Sequence, residues 1–282
     1  MKLAALPVAI TVLSLAQPAG LRPDPPINCG DCAGWNADVA PSRLFGNTYT
    51  VGTAGLSSLL ITSPAGHVLM DGALPQSAGH IDRHIRALGF RTEDVTLILV
   101  SHGHYDHAGG VAALQRFTAA RVAASPSTAA ALRAGVNTPD DPQAGFGTTA
   151  NRFPSVATVQ ELKDGETVRV GDIDIRVHHI PGHAPGSTAY TWRSCEGAVC
   201  KDLVYADSLT AVSAPGFRFS GDATHPSLVA AFRRSIATVA ALPCDILVAP
   251  HPFSAAGKTC RTYAADASER LDARLAEEAR SR

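Results

Sequence analysis

The sequence has no surplus of either charge. Its 24 lysines and arginines face 25 aspartates and glutamates, a formal net charge of −1 over 282 residues. Nor is there a basic stripe or an acidic tail. That argues against nucleic acid as a partner, because such binding is driven by neutralising phosphates. A neutral chain of this size is expected to handle a small molecule. Beyond its first residues the chain also lacks any apolar run near the ~20 residues a membrane helix needs. No low-complexity linker divides it into separate domains. Finally, no second Cys-x-x-Cys accompanies Cys29 and Cys32, so a four-sulfur zinc site is not on offer. A local disulfide is expected there rather than a redox-active or zinc-binding pair.

What is present suits a well-packed, exported domain. Hydrophobic residues make up 45% and charged residues 17% of the chain, enough to bury a large core. Lys2, the apolar run Leu3 to Leu15 and the small residues of Ser14-Leu15-Ala16 have the form of a signal peptide. The expectation is a leader over 1–16 cleaved at about residues 16–20, an irregular Pro/Gly/Asp-rich arm over 17–46, and one domain over 47–282. That places the mature chain in the periplasm, where the six cysteines can pair. Cys195 and Cys200 flank Glu-Gly-Ala-Val as a hairpin staple, and Cys244 and Cys260 bracket a strand end and a loop.

Strand patterns appear at 47–53, 56–62, 67–71 and 95–100, the last a continuous apolar run. Helical periods cover 77–89, 110–116 and 127–134, with a short strand at 121–124. Residues 135–158 form a long Gly/Pro/Thr/Asn-rich loop around Gly145-Phe146-Gly147. A hairpin follows over 166–180, then paired strands at 188–192 and 203–206. A helix at 226–241, a strand at 245–249 and a helix at 262–279 complete the chain. Two similar successions, 47–135 and 166–279, suit two packed sheets with helices outside, the strands mostly hairpin-linked.

Immediately after the strand at 95–100 the chain reads Ser-His-Gly-His-Tyr-Asp-His. His102 and His104 point to one side of an extended segment, while Asp106 and His107 can turn to a second centre. The spacing suggests two metal ions a few Å apart. His183, in Pro-Gly-His-Ala-Pro-Gly-Ser, and His251, in Ala-Pro-His-Pro, also follow strands and can converge on the same rim. The other histidines read as ordinary. His80 and His84 are i,i+4 on a helix but have no Glu between them, so a solvated face is expected. His178 and His179 point to opposite faces of a strand. His67 and His225 lie in turns.

His-x-His-x-Asp-His after a buried strand, with Pro-Gly-His and a late His, resembles the metallo-β-lactamase superfamily over about residues 30–280. That family has an α/β fold, an αβ/βα four-layer sandwich. Tyr205-Ala206-Asp207-Ser208-Leu209-Thr210, the segment 181–188 and Leu242 to Val248 are similar to subclass B3 metallo-β-lactamases. The resemblance implies two Zn2+ ions, one on His102, His104 and His183, the other on Asp106, His107 and His251. It implies hydrolysis of the β-lactam amide bond in carbapenems, penicillins and cephalosporins by a monomer, and hence antibiotic resistance. On that resemblance, Asp106 and a zinc-bound hydroxide would be the catalytic groups. Ser208 and Thr210 would bind the substrate carboxylate, Phe146 would wall the cleft, and Asp71 would support the metal loop. Only eight residues separate His251 from Cys260, shorter than in many members of the subclass. The alternatives are a glyoxalase II-type thioesterase or a lactonase, favoured if Asp207 rather than Ser208 faced the metals, and a non-catalytic periplasmic zinc-binding protein.

Overall fold

A computed structural model describes residues 20–281, so the expected leader over 1–16 lies outside the described residues. In chain order the elements are α1 (Cys32–Trp35), β1 (Ser42–Phe45), β2 (Thr48–Thr50), β3 (Leu59–Ile61), β4 (His67–Met70), α2 (Ala78–Ala87) and β5 (Val95–Leu99). Next come α3 (Tyr105–Ala108), α4 (Val111–Thr118), β6 (Arg121–Ala124), α5 (Pro126–Ala134), α6 (Thr148–Asn151), β7 (Gln160–Glu161), β8 (Thr167–Val170) and β9 (Ile173–His179). The chain closes with β10 (Thr188–Glu196), β11 (Val199–Tyr205), α7 (Val229–Ala241), β12 (Ile246–Val248), α8 (Pro252–Ala255) and α9 (Cys260–Arg280).

These strands form two sheets, ordered β1-β2-β3-β4-β5-β6-β7 and β12-β11-β10-β9-β8. Strand alternation sorts their side chains into layers. Val68 and Met70, Leu97 and Leu99 face Ile175, Val177, Tyr190, Trp192, Leu203 and Tyr205 across the sandwich. The neighbours Leu69 and Ile98 face the other way, onto Ile81 and Ile85 of α2 and Leu114 of α4. Val204 of β11 likewise meets Phe232 of α7 and Leu271 of α9. Truncating one of these fully buried residues to Ala costs about 2–5 kcal/mol. The result is the expected αβ/βα sandwich.

The strands are mostly hairpin-linked, as expected, but β4 to β7 and the pair β11–β12 run in parallel. Parallel neighbours require crossover connections, and α2, α4 and α5 lie in three of the intervening segments. The arm is not irregular throughout, because it contains α1 and the edge strand β1, which pairs antiparallel with β2. All three expected disulfides form, Cys29–Cys32, Cys195–Cys200 and Cys244–Cys260. The second closes the β10–β11 hairpin at the Cys195–Cys200 register position.

Candidate metal centre

The His-rich segment leaves β5 at its carboxyl end and enters the short helix α3, with His104 extended at its N-cap. The turn is packed backbone to backbone against the segment after β4. His107 O accepts from Gly72 N at 2.8 Å, and Ala73 O accepts from Gly110 N at 3.2 Å. A Cβ on Gly110 would sit 2.2 Å from Gly72 O, so this approach requires glycine.

Asp71 secures the same junction. It adopts a left-handed φ of 57°, a conformation Asp tolerates better than most residues. Its wholly buried carboxylate accepts from Ser101 N, Ser101 Oγ and Tyr205 OH, each at 2.7 Å. Burial pushes its pKa up to about 6, against the pull of His107 and these hydrogen bonds. Asp71 thus holds the segment that leads into His102 from behind.

Two groups of three donors converge on the rim. The donor atoms of His102, His104 and His183 lie within 4.8 Å of one another, and so do those of Asp106, His107 and His251. The groups adjoin through His102 and His107, whose ring centroids are 4.5 Å apart. Asp106 Oδ2 lies 3.1 Å from His107 Nε2 and 3.3 Å from His251 Nε2.

The outward nitrogens fix which nitrogens face in. His183 Nδ1 lies 2.9 Å from Thr210 O and His251 Nδ1 lies 3.1 Å from Gly55 O. Carbonyls only accept, so each Nδ1 carries the proton and each Nε2 presents a lone pair. His104 turns Nε2 to Asp141 Oδ2 at 3.0 Å, leaving Nδ1. His102 turns Nδ1 to Asp207 Oδ1 at 2.8 Å. Its Nε2 is fully buried and has no hydrogen-bond partner. An orphaned buried nitrogen beside two other imidazole lone pairs is what a metal ligand looks like without its ion. The residues present fit a divalent metal in each group.

Electrostatics agree. Burial lowers His102 to about 4 and His183 to about 3, so both are neutral donors near pH 7. Burial would raise Asp106, but His107 and His251 overcome it and hold the carboxyl well below the usual range. Burial would lower His107, but the adjacent Asp106 wins and pushes it up to about 9. A cation can replace the proton of such a pair.

The remaining expected residues fall unevenly. Ser208 is buried between two anchored neighbours, Asp207 on His102 and Thr210 on His183. The Thr210 hydroxyl itself lies 3.0 Å from His183 Nδ1. Phe146 is exposed at the tip of the long loop, whose Asp141 backs His104. Asp207 is not among either group of three donors. His178 bonds Thr191 Oγ1, and His67 packs on the ring of Phe90, so neither joins the rim. The solvated face expected for His80 and His84 is corrected, because His84 is buried and both rings meet Asp38. A carboxylate some forty residues upstream had no local signal tying it to that helix.

Sequence reading missed Asp141 as the partner of His104, whereas Trp35 was a candidate wall that read rather as packing. The Trp35 ring sits 5.1 Å from that of His251. Asp141 is one polar residue in a long polar loop, and nothing local marks it.

Known proteins carry the same arrangement of elements. The Rm3 metallo-beta-lactamase is 48% identical with a TM-score of 0.85, the match covering 89% of this chain and 99% of that one. MEM-A1, a subclass B3 metallo-beta-lactamase isolated from a soil metagenome library, is 43% identical with a TM-score of 0.84, covering 88% and 100%. Among curated proteins, a hydroxyacylglutathione hydrolase of Pseudomonas paraeruginosa is 32% identical over 151 residues, 54% of this chain and 45% of that protein. The chain spans about half the length of the curated relatives it matches. A family model for the metallo-beta-lactamase superfamily matches residues 52–251, from the end of β2 to the last histidine of the rim. That span holds both donor groups and the strands from β3 to β12, and the chain belongs to the metallo-beta-lactamase superfamily.

Proposed function

We propose that this protein is a subclass B3 metallo-β-lactamase, opening the amide bond of carbapenems, penicillins and cephalosporins with two zinc ions. The observation that carries this reading is the place of Asp207. It stands behind His102 instead of between the two donor groups, the position the thioesterase alternative needs. Full-length likeness to subclass B3 structures supports the same reading. The hydroxyacylglutathione hydrolases match over 37–54% of their length. Three disulfides fit a protein working in an oxidising compartment, the periplasm by our reading.

His102, His104 and His183 would hold one ion, and Asp106, His107 and His251 the other. When bound, the ions would polarise the lactam carbonyl and lower the pKa of water toward neutrality. Asp106 has a second task, accepting a hydrogen bond from the attacking water and orienting it. Asp141 keeps His104 in the tautomer that faces inward, and the Asp207 carboxylate 2.8 Å from His102 Nδ1 favours a proton on that outward nitrogen. Ser208 offers a hydroxyl at the rim to the substrate carboxylate. Phe146 would offer an exposed apolar surface on its loop, which is tied to the segment after β11 where Pro142 O accepts from Ala214 N at 2.9 Å.

The test is turnover by the zinc-loaded protein of a carbapenem, a penicillin and a lactoylglutathione thioester. β-Lactam opening, abolished by chelation, is expected. Thioester turnover without β-lactam turnover would overturn the reading, and zinc uptake with no turnover of either would leave a binding protein.

A further inference from the structure

A third group of donors lies away from the rim, where the arm crosses α2. Asp38 Oδ1 is 2.7 Å from His80 Nδ1 and 3.0 Å from His84 Nε2. All three atoms lie within 4.8 Å of one another.

With both imidazoles neutral, the hydrogen bonds around them leave no proton to share. His84 Nδ1 lies 3.0 Å from Val51 O, which can only accept. Nδ1 therefore carries a proton, and in the neutral ring Nε2 turns a lone pair toward Asp38. His80 Nδ1 lies 2.9 Å from Arg83 Nη2, which can only donate. That nitrogen too is an acceptor, yet it faces the same carboxylate oxygen. With neutral imidazoles, two lone pairs and one carboxylate oxygen thus point at one place, and either protons on the rings or a metal ion among them relieves the repulsion.

Arg83 meets part of that need from the outside, with Nη2 at 3.4 Å from Asp38 Oδ1. Its side chain is more than half exposed, and its long stem can swing away. Two imidazoles and a carboxylate are the donor set of zinc and neighbouring transition ions, not of calcium or magnesium. Bonds of about 2.0–2.2 Å in tetrahedral geometry put donors roughly 3.3 Å apart. Small rotations of Asp38, which is mostly exposed, open the group to that spacing.

We propose that Asp38, His80 and His84 form a further metal site for a divalent transition ion of the zinc class, with solvent in the fourth position. The site would fasten the arm to α2. Three residues before Asp38, Trp35 packs on His251, so an ion here would also stiffen one wall of the rim.

The test counts metal per chain by mass spectrometry after equilibration with zinc, in the full chain and in the variants His80→Ala and Asp38→Asn. Each variant is expected to hold one equivalent less than the parent, whatever the rim itself holds. Zinc should also raise the melting temperature of the parent by a few °C more than that of either variant. Equal metal counts in parent and variants would overturn the proposal. So would variants that melt lower by the same amount with and without zinc, which would make the group a salt-bridged knot only.

Discussion

The two donor groups of the rim are built from similar residues but are backed differently. In the His102, His104 and His183 group every outward nitrogen meets an oxygen at 2.8–3.0 Å, from Asp207, Asp141 and Thr210 respectively. In the Asp106, His107 and His251 group the backing is thinner. His107 Nδ1 is 3.8 Å from Asp71 and has no hydrogen-bond partner. His251 relies on one backbone carbonyl and on Trp35 packed against its ring. Orientation of a metal-bound imidazole comes from these outer partners. The comparison teaches that the first group is set by buried side chains, while the second depends on how the arm and the Gly55 turn are packed. It also implies an order of release, with a chelator drawing metal from the second group first.

Emptying the first group should break the comparison most severely. His102→Ala removes the ligand whose Nε2 is already orphaned. We expect β-lactam turnover to fall by about a thousandfold or more, as for loss of a metal-activated nucleophile. The measurement is steady-state hydrolysis at saturating zinc. Activity within tenfold of the parent would mean that the first group is not the reacting centre.

Asp71→Ala should act on both groups together, because it anchors the junction that precedes His102 and underlies His107. It strands Ser101 N in a fully buried place and leaves Tyr205 OH and Ser101 Oγ only longer contacts, to Ser57 O and His102 Nδ1. Leaving such groups unpaired costs about 1–3 kcal/mol each, not additively, so a loss of roughly 3–5 kcal/mol is expected in urea unfolding. A loss under about 1 kcal/mol would show that the loop is held by backbone packing alone.

Asp141→Ala separates the groups. It leaves His104 without the oxygen on Nε2 and does not touch Asp106, His107 or His251. First-group zinc affinity should fall about 10–100-fold with second-group affinity unchanged. A competition titration with a coloured chelator reads both steps. An equal fall in both would dissolve the distinction between them.

The six rim residues were legible because each follows a strand and carries side-chain chemistry that is rare in such density. The sandwich was legible because alternation and period place the strands and helices within a few residues of where they lie. The partners of the ligands were not. Asp141 sits in a loop where Asp, Asn and Thr are ordinary, and Asp207 read as a rival ligand until the fold put it behind His102. Asp38 reaches His84 across a sequence separation of 46. Contacts of that range leave no periodic trace, and they are made by single residues. β1 was lost for a related reason: its four residues, Ser-Arg-Leu-Phe, are an edge strand exposed or half-buried throughout, with no apolar face to declare it.

Trp35→Ala is the gentlest test of the comparison, and it probes only the second group. The indole contacts His251, and its backbone carbonyl accepts from Thr53 Oγ1 at 2.6 Å and from Gly55 N at 3.2 Å. Truncation keeps those backbone bonds, so Gly55 O should still orient His251. Only the ring wall is lost. A Cβ on Gly55 would lie 2.6 Å from Trp35 Cδ1, which shows how tightly the ring closes that turn. Greater freedom for His251 should weaken second-group zinc by a factor of roughly three to ten, at the low end of outer-partner effects. First-group zinc should not change. The same chelator titration decides: if Trp35→Ala leaves both affinities alone, the arm is packing for stability and not a wall of the metal centre, and the second group must owe its order to Asp106 itself.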